Sequence, residues 1–204
     1  MITREQLFGF WMDKRRLQGW CSIEKAEAMM QEVHRLKPKV CVEVGVFGGR
    51  SLFPVALALE ELGEGVVYGV DPWSPEASLA GTQDPANTAY WNGKHWSYET
   101  VYSDCIRALI DMRLTATCNI LRITSDQASK LFVDESVDML HIDGNHSTEE
   151  SLADLERWVP KVKPGGSIWF DDIAWESLKP AVSTLYRICE FQRTVDGSAL
   201  FSKP

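Results

Sequence analysis

The sequence predicts an α/β protein with a doubly wound, mostly parallel sheet of seven strands, and three observations support this prediction. Short apolar runs alternate with helical patterns along almost the whole chain. Acidic residues directly follow several of these runs, as at Asp71, Asp143 and Asp171. A turn rich in glycine separates the first run from the next helical pattern. Strands that alternate with helices form parallel sheets with right-handed crossovers and with helices on both faces.

Local signals define each element in order, beginning with a helical N-terminal extension over residues 1–36. Ser22 can cap its last helix, Ile23–Leu36, and Lys37-Pro38 ends that helix. The predicted strands are Val40–Val44, Val66–Val70, Ile120–Ile123, Val137–Ile142 and Ser167–Phe170, followed by a terminal hairpin of Gln192–Val195 and Ala199–Ser202. The predicted helices between them are Ser51–Leu62, Tyr98–Met112, a short helix from Ser125, Ser147–Val162 and Leu178–Cys189.

Length, charge and cysteine content limit the kinds of protein that this chain can be. It has 204 residues and no Pro/Gly/Ser-rich linker, which predicts a single domain over residues 1–204. The net charge of −8 argues against nucleic acid as a partner, because nucleic-acid binders usually carry a clustered basic face. Five cysteines without CxxC spacing indicate reduced thiols and a cytoplasmic protein. We expect no membrane association, since neither a long apolar run nor a signal peptide is visible.

The turn after the first predicted strand, residues 43–51, has the sequence Glu-Val-Gly-Val-Phe-Gly-Gly-Arg-Ser. Glycine lets a ligand approach the main chain closely, and the next helix offers free N–H groups at its N-terminus to a carboxylate or phosphate. The glycine spacing differs from the G-x-G-x-x-G of dinucleotide-binding turns. Asp71 ends the second predicted strand, where acidic residues of nucleotide-binding sheets accept hydrogen bonds from ribose hydroxyls. These features predict a site for a ribose without a pyrophosphate.

These motifs resemble those of the class I S-adenosylmethionine-dependent methyltransferases, from about Trp20 to the end of the chain. The motifs that carry the resemblance are Glu43-x-Gly45-x-x-x-Gly49-x-Ser51, Asp71, Ser125-Asp126 and Lys163-Pro164-Gly165-Gly166. The resemblance implies a site for the methionine part of the cofactor at the glycine turn, for the ribose at Asp71 and for the adenine at Ser125 or Asp126. Glu43 is expected to orient the loop or the cofactor's ammonium. The residues assigned to the cofactor are Glu43, Gly45, Gly49, Ser51, Asp71, Trp73, Ser125 and Asp126.

Three carboxylates predict a divalent cation. Asp143 follows the fourth predicted strand, and Asp171 and Asp172 follow the fifth. The carboxyl ends of neighbouring parallel strands meet in one crevice, although such residues also cap helices or close turns. The chain is similar to the small-molecule O-methyltransferases of the catechol and macrocin type, and this resemblance implies that the three carboxylates hold Mg²⁺, which lowers the pKa of a bound hydroxyl. A metal-independent enzyme of the same fold is the alternative.

The proton acceptor is expected close to Asp143, which is the second predicted catalytic residue. Catechol-type enzymes carry a lysine three residues after the first metal ligand, and macrocin-type enzymes carry an aspartate two residues after it. These positions hold His146 and Asn145 here. His146 is the predicted base because imidazole titrates near neutral pH, unless it simply begins the next helix. His141, on the same strand face as Asp143, is a further candidate for contact with cofactor or metal.

An insertion over residues 74–97 contains Tyr90, Trp91 and Trp96. This aromatic surface is interpreted as a lid over a flat or sugar-like substrate or as a contact in a homodimer. Trp11 and Trp20 are placed to close the pocket from the N-terminal side. The predicted function is methyl transfer to a hydroxyl oxygen of a small molecule, a sugar-bearing or phenolic metabolite of secondary metabolism. A catalytically silent cofactor-binding module that acts through the insertion is a further alternative.

Overall fold

A computed structural model of the chain describes residues 17–82, 84–94 and 96–204, together with residues 5 and 9. Most of the predicted extension before residue 17, including Trp11, lies outside the described residues. The strands are β1 (Val40–Val44), β2 (Val66–Val70), β3 (Cys118–Leu121), β4 (Val137–Ile142), β5 (Val162–Phe170), β6 (Glu190–Val195) and β7 (Ser198–Ser202). The helices are α1 (Ile23–Leu36), α2 (Leu52–Leu62), α3 (Pro75–Ser78), α4 (Pro85–Trp91), α5 (Tyr98–Asp111), α6 (Ser125–Ser129), α7 (Thr148–Trp158) and α8 (Lys179–Ile188). Among these described helices, none is both long and apolar enough to cross a bilayer.

The seven strands form one sheet in the order β3-β2-β1-β4-β5-β7-β6. β1 to β5 pair in parallel, whereas β7 runs antiparallel to both β5 and β6. The chain builds outwards in one direction from β1 and in the other from β4, so the strand order reverses between these two strands. Open α/β sheets bind ligands at this switch point, outside the carboxyl ends of the strands. The predicted doubly wound, mostly parallel sheet is confirmed.

Side chains alternate along each strand and divide the core into two layers, one on each face of the sheet. Helices α1, α2 and α5 cover one face, and α7 and α8 cover the other. In β1, Cys41 belongs to the first layer and Val42 to the second. The same alternation places Glu43 and His141, which are neighbours in register, on the face that α1 and α2 cover. Polar side chains therefore occupy the carboxyl end of an otherwise apolar layer.

Several predicted boundaries need correction, although β1, β2 and β4 begin and end at the predicted residues. β3 begins at Cys118 and β5 at Val162, both earlier than predicted. The segment Lys163–Gly166 is part of β5 and does not end the preceding helix. That helix, α7, ends at Trp158 and passes into a 3-10 turn, because Pro160 has no N–H group with which to continue an α-helix.

The loop after β1 touches the loop after β4 at Gly45. A Cβ atom at Gly45 would lie 1.9 Å from the carbonyl oxygen of Asp143, and the residue has a φ of +89°. Both the space and the backbone conformation therefore require glycine at this position. This contact fixes the distance between the two loops on either side of the switch point.

Replacing Gly45 by alanine should lower the free energy of unfolding by about 2 to 4 kcal/mol, because the new methyl group would force the two loops apart and strain the backbone. Gly63→Ala is the matched control. Gly63 has a φ of +72° but nothing within 4 Å of an added Cβ, so its replacement should cost only about 1 kcal/mol. Urea denaturation of both variants tests this difference, and equal losses would contradict the close approach of the loops.

Candidate active site

A cavity of about 1000 Å³ opens at the carboxyl ends of the central strands. Its volume is at the upper end of the range of small-molecule sites. The predicted site residues that line it are Gly45, Ser51, Asp71, Trp73, Ser125, Asp126, Asp143, His146, Asp171 and Asp172. Glu43, Gly49 and His141 do not line the cavity. Glu43 therefore does not face a ligand's ammonium, and its contacts instead orient neighbouring side chains.

Five polar side chains from separate elements form a buried row next to the cavity, called the polar row below. The Ser51 hydroxyl donates to Glu43 Oε1 over 2.9 Å, and Glu43 Oε2 lies 3.0 Å from His141 Nδ1. His141 Nε2 lies 3.8 Å from Asp171 Oδ2, which is too far for a hydrogen bond. The Lys25 ammonium, which comes from α1, forms an ion pair with this same Asp171 oxygen. The polar row joins α1 and α2 to three neighbouring strands.

Burial and neighbouring charges shift the pKa values of the groups in and beside the polar row. Burial favours the neutral amine of Lys25, but the carboxylates of Asp143 and Asp171 hold its pKa above the usual range. Burial and the nearby Asp171 raise the pKa of Asp143 well above its usual range. Burial also opposes ionisation of Asp171, yet His141 and Lys25 lower its pKa far below the usual range. Asp171 is therefore the more readily ionised carboxyl group of the pair.

Two further groups, His141 and Cys21, also have shifted pKa values. Burial and the Lys25 ammonium oppose protonation of His141, but Asp171 and Glu43 more than offset them, so the pKa of His141 is raised. Cys21 lines the cavity beside Lys25, and burial raises the pKa of its thiol to about 12. All five cysteines are free and buried.

The sequence prediction did not include Lys25. The lysine is 1% exposed and lies on the buried face of α1, one turn before Met29 and two turns before Val33. Its only sequence signal is this position, since a lysine on the apolar stripe of an amphipathic helix needs a buried partner. The sequence does not indicate that the partner is Asp171, which follows 146 residues later.

The arrangement of the carboxylates fits a divalent cation at Asp143 and Asp172. Ligand atoms of Asp143, His146 and Asp172 lie within 4.8 Å of one another, and so do those of a second group, His141, Asp143 and Asp171. Oxygen atoms of two carboxylates suit Mg²⁺, which usually keeps several waters. Asp172 follows the end of β5 and has a φ of +55°, which lets both it and Asp171 line the cavity. Asp171 is engaged elsewhere, because Lys25 contacts Oδ2 and the Ser198 hydroxyl donates to Oδ1.

His146 lies beside this pair of carboxylates. Its Nε2 atom is 3.1 Å from Asp172 Oδ2, and its ring packs against Trp175 with a centroid separation of 4.7 Å. Nδ1 is buried and has no hydrogen-bond partner among the described residues. Ser147, and not His146, caps α7, since its hydroxyl accepts from the Glu150 N–H. His146 is therefore held by Asp172 and Trp175 at the edge of the cavity.

Asn145 fastens the first part of the insertion, residues 74–82, to the loop after β4. Its side-chain NH2 group lies 2.8 to 3.1 Å from the carbonyl oxygens of Ala77, Ser78 and Ala80 and donates to all three, with one of its two hydrogens shared between two oxygens. These three residues come from the other side of the switch point, and all three line the cavity. The segment 74–82, called the strap below, therefore spans the cavity from β2 to β4. Asn145 stands where macrocin-type enzymes carry an aspartate, and here its role is structural.

An aromatic wall, formed by Trp20, Phe47, Tyr90 and Trp91, closes one side of the cavity. Trp20 stacks on Phe47 with a centroid separation of 5.5 Å and an interplanar angle of 26°. Tyr90 and Trp91 meet Trp20 edge to face at 5.5 and 6.1 Å. Trp20 is nevertheless 62% exposed. The aromatic part of the insertion faces the cavity, and its exposed faces are available to a further ring.

Asp71 supports the glycine turn from the end of β2. Its Oδ2 atom accepts from the N–H groups of Val46 and Phe47, and Oδ1 accepts from the N–H of Trp73. Trp73 in turn donates from Nε1 to the Phe47 carbonyl oxygen over 2.8 Å. Burial raises the pKa of Asp71 despite the three N–H donors. A carboxylate has about four acceptor positions, so one position stays available to a ligand in the cavity.

The opposite end of the cavity contains Ser125 and a residue that the sequence analysis missed, Asp154. Ser125 accepts from Trp158 Nε1 over 2.8 Å and donates to Asp154. Burial raises the pKa of Asp154 to about 6, although Ser125 and Arg157 partly oppose this effect. Asp126 is more exposed and pairs with Lys130. Nothing in the sequence distinguishes Asp154 from the other acidic residues of α7.

Comparisons with known proteins agree with this fold. A family model described as a methyltransferase domain matches residues 42–173. The uncharacterized protein y4gI of Sinorhizobium fredii is 29% identical over 142 residues, and the match covers 69% of this chain but 14% of that protein. This chain therefore corresponds to a small part of that relative.

Solved structures share the fold at low sequence identity. The O-methyltransferase NovP is 18% identical, with a TM-score of 0.69 over 89% of this chain and 80% of NovP. SAH-bound PaMTH1 of Podospora anserina is 11% identical, with a TM-score of 0.70 over 100% of this chain and 89% of PaMTH1. An O-methyltransferase from Bacillus cereus in complex with SAH is 14% identical, with a TM-score of 0.64 over 98% of this chain and 90% of that protein.

The raised pKa of Asp154 predicts how stability depends on pH. Between about pH 4 and pH 6 the folded chain keeps a proton on Asp154 that the unfolded chain has lost, so the contribution of Asp154 to stability falls as the pH rises through this window. Relative to Asp154→Asn, the free energy of unfolding of the wild type should fall by on the order of 2 kcal/mol between pH 4 and pH 7. Denaturation at several pH values measures the difference, with the exposed Asp111→Asn as the control. A difference that does not change with pH would contradict the burial of this carboxyl group.

Proposed function

This chain belongs to the methyltransferase domain family and has the fold of the class I S-adenosylmethionine-dependent methyltransferases, and from this premise we propose that it methylates a hydroxyl oxygen of a small molecule. The single observation that carries the proposal is the cavity at the switch point. It joins a candidate cofactor end, at Gly45 and Asp71, to a cluster of acidic and basic groups at Asp143, His146 and Asp172. Acid and base groups beside a methyl donor suit an acceptor that must lose a proton.

The contacts of the glycine turn support S-adenosylmethionine as the donor. Asp71 retains one acceptor position for a ribose hydroxyl while it holds the amides of the turn. We place the methionine part of the cofactor at Gly45 and Ser51 and the adenine at Ser125 and Asp126, with Trp73 closing the ribose site. The glycine at position 45 would then serve both the loop contact and the approach of the ligand.

Proton removal is assigned to His146, with Asp143 and Asp172 beside it. The cofactor would supply an electrophilic methyl group to the acceptor oxygen, and His146 would take the hydroxyl proton as that oxygen is methylated. The Asp172 carboxylate, 3.1 Å from Nε2, would stabilise the imidazolium that results. A divalent cation, preferably Mg²⁺, held by Asp143 and Asp172 would lower the pKa of the acceptor hydroxyl. Asp171 would act through Lys25 and His141 and would not contact the cation directly.

The aromatic wall supports a phenolic or sugar-bearing acceptor, as expected of a secondary metabolite. Trp20 and Tyr90 are 62% and 38% exposed and lie at the cavity, so a flat ring can stack on them. Sugar rings pack with their apolar faces on aromatic side chains for the same reason. Assays with labelled S-adenosylmethionine against hydroxylated phenols and their glycosides test the acceptor class. We further propose a cytoplasmic location, since all five cysteines are free.

Replacing Asp71 by alanine should weaken binding of S-adenosylhomocysteine by roughly 1 to 3 kcal/mol, because a charge-assisted hydrogen bond to the ribose is lost. Calorimetry measures the affinity, and thermal unfolding reports any loss of support for the glycine turn. A cofactor analogue without the 2′-hydroxyl separates the two effects. If Asp71 contacts that hydroxyl, the losses from the mutation and from the analogue do not add. An unchanged affinity for the natural cofactor would exclude the ribose site.

Replacing His146 by alanine should lower kcat by about 100-fold and leave cofactor affinity nearly unchanged, since a general base contributes only to the chemical step. His34→Ala, on the outer part of α1, is the matched control. Activity should also fall in a chelator and return with added Mg²⁺. A His146 variant that keeps most of its rate would show that the proton leaves directly to water.

A further inference from the structure

We propose that Lys25 is a built-in cation that occupies one side of the carboxylate cluster and thereby limits a divalent cation to Asp143 and Asp172. This inference rests on the proposed function, because it concerns the same cluster. The Lys25 side chain is 2% exposed and forms an ion pair with Asp171, whose side chain is 11% exposed. It is a positioning residue, since its ammonium acts on the cation site through Asp171 and Asp143.

Burying the Lys25 ammonium costs free energy that its neighbours must offset. An ammonium group buried in this way loses its hydration, and only close carboxylates offset that loss. α1 has Ser22 as its N-cap and presents Ala26, Met29 and Met30 to the core around the lysine. An apolar residue at position 25 would complete this face without any partner, so the packing of α1 alone does not require a lysine.

Repulsion between the Lys25 ammonium and a divalent cation determines which carboxylates the cation can contact. Three carboxylates line the cavity at this point, and a divalent cation that contacted Asp171 would have to approach the Lys25 ammonium. Both Asp171 oxygens have donors, from Lys25 on one side and from Ser198 and the Asp172 N–H on the other. Like charges at such distances repel strongly in a buried site. The ammonium therefore keeps Asp171 out of the cation's coordination.

A second observation comes from His141, which is 1% exposed. Its Nε2 atom is buried, has no hydrogen-bond partner among the described residues and lies 3.8 Å from Asp171 Oδ2. Asp171 therefore pairs with the lysine and leaves the neighbouring His141 nitrogen without a hydrogen bond. Without the lysine, Asp171 could turn to His141 or join His141 and Asp143 around a cation, since ligand atoms of these three residues lie within 4.8 Å of one another.

Mn²⁺ binding to the full chain without cofactor, measured by electron paramagnetic resonance, tests the proposal. Lys25→Met should bind Mn²⁺ at least 10-fold more tightly than the wild type, because a repelling charge is removed and Asp171 becomes free to coordinate. Lys25→Arg should restore the wild-type affinity, and Lys39→Met, which removes an exposed ammonium paired with Glu64, should leave it unchanged. Affinity in Lys25→Met equal to or weaker than that of the wild type would overturn the inference.

A second comparison applies even if Lys25→Met does not fold. In the wild-type background, Asp172→Asn should reduce Mn²⁺ affinity much more than Asp171→Asn, and the opposite order would refute the role given to Lys25. S-adenosylhomocysteine binding, measured separately, reports on the proposed function itself. A wild-type chain that binds this cofactor but no Mn²⁺ would overturn the cation site at Asp143 and Asp172 and leave the cofactor assignment intact.

Discussion

The ion pair between Lys25 and Asp171 is the interaction on which the arrangement of the site depends. A charge buried this deeply must keep its partner, since removing either member leaves the other without compensation in a low-dielectric interior. The pair connects α1 to the end of β5, and His141 and Glu43 continue the connection across β4 and β1 to Ser51 before α2. One helix outside the sheet is thereby tied to the ends of three strands.

The shape of the cavity follows from contacts between loops at the same edge of the sheet. Gly45 sets the separation of the loops after β1 and β4, and Asp71 holds the first of these loops through its backbone amides. Asn145 then draws the strap across from the β2 side. None of these contacts involves a regular ladder of hydrogen bonds. These contacts connect the loops to one another beyond the ends of the strands.

Much of the fold could be predicted from the sequence, but less of the site. β1, β2 and β4 are mostly buried strands bounded by polar or turn residues, so their limits are visible. β5 is different because its first half contains a Pro-Gly-Gly segment that local propensity assigns to a turn, and only pairing with its neighbours extends the strand through it. In the site, residues that end strands were recognised by position. Lys25 and Asp154 were not, because a helical pattern shows which face is buried and not which distant group that face meets.

The burial of Cys21 has a consequence for the chemistry that a cavity of this kind can contain. A thiol with a pKa of about 12 is ionised in only about one molecule in 10⁵ at pH 7. The thiolate, and not the thiol, is the strong nucleophile. A methyl sulfonium bound in the same cavity would therefore meet a neutral thiol, which is a weaker nucleophile than a thiolate. The environment that sustains the buried charges therefore also protects the protein from modifying itself.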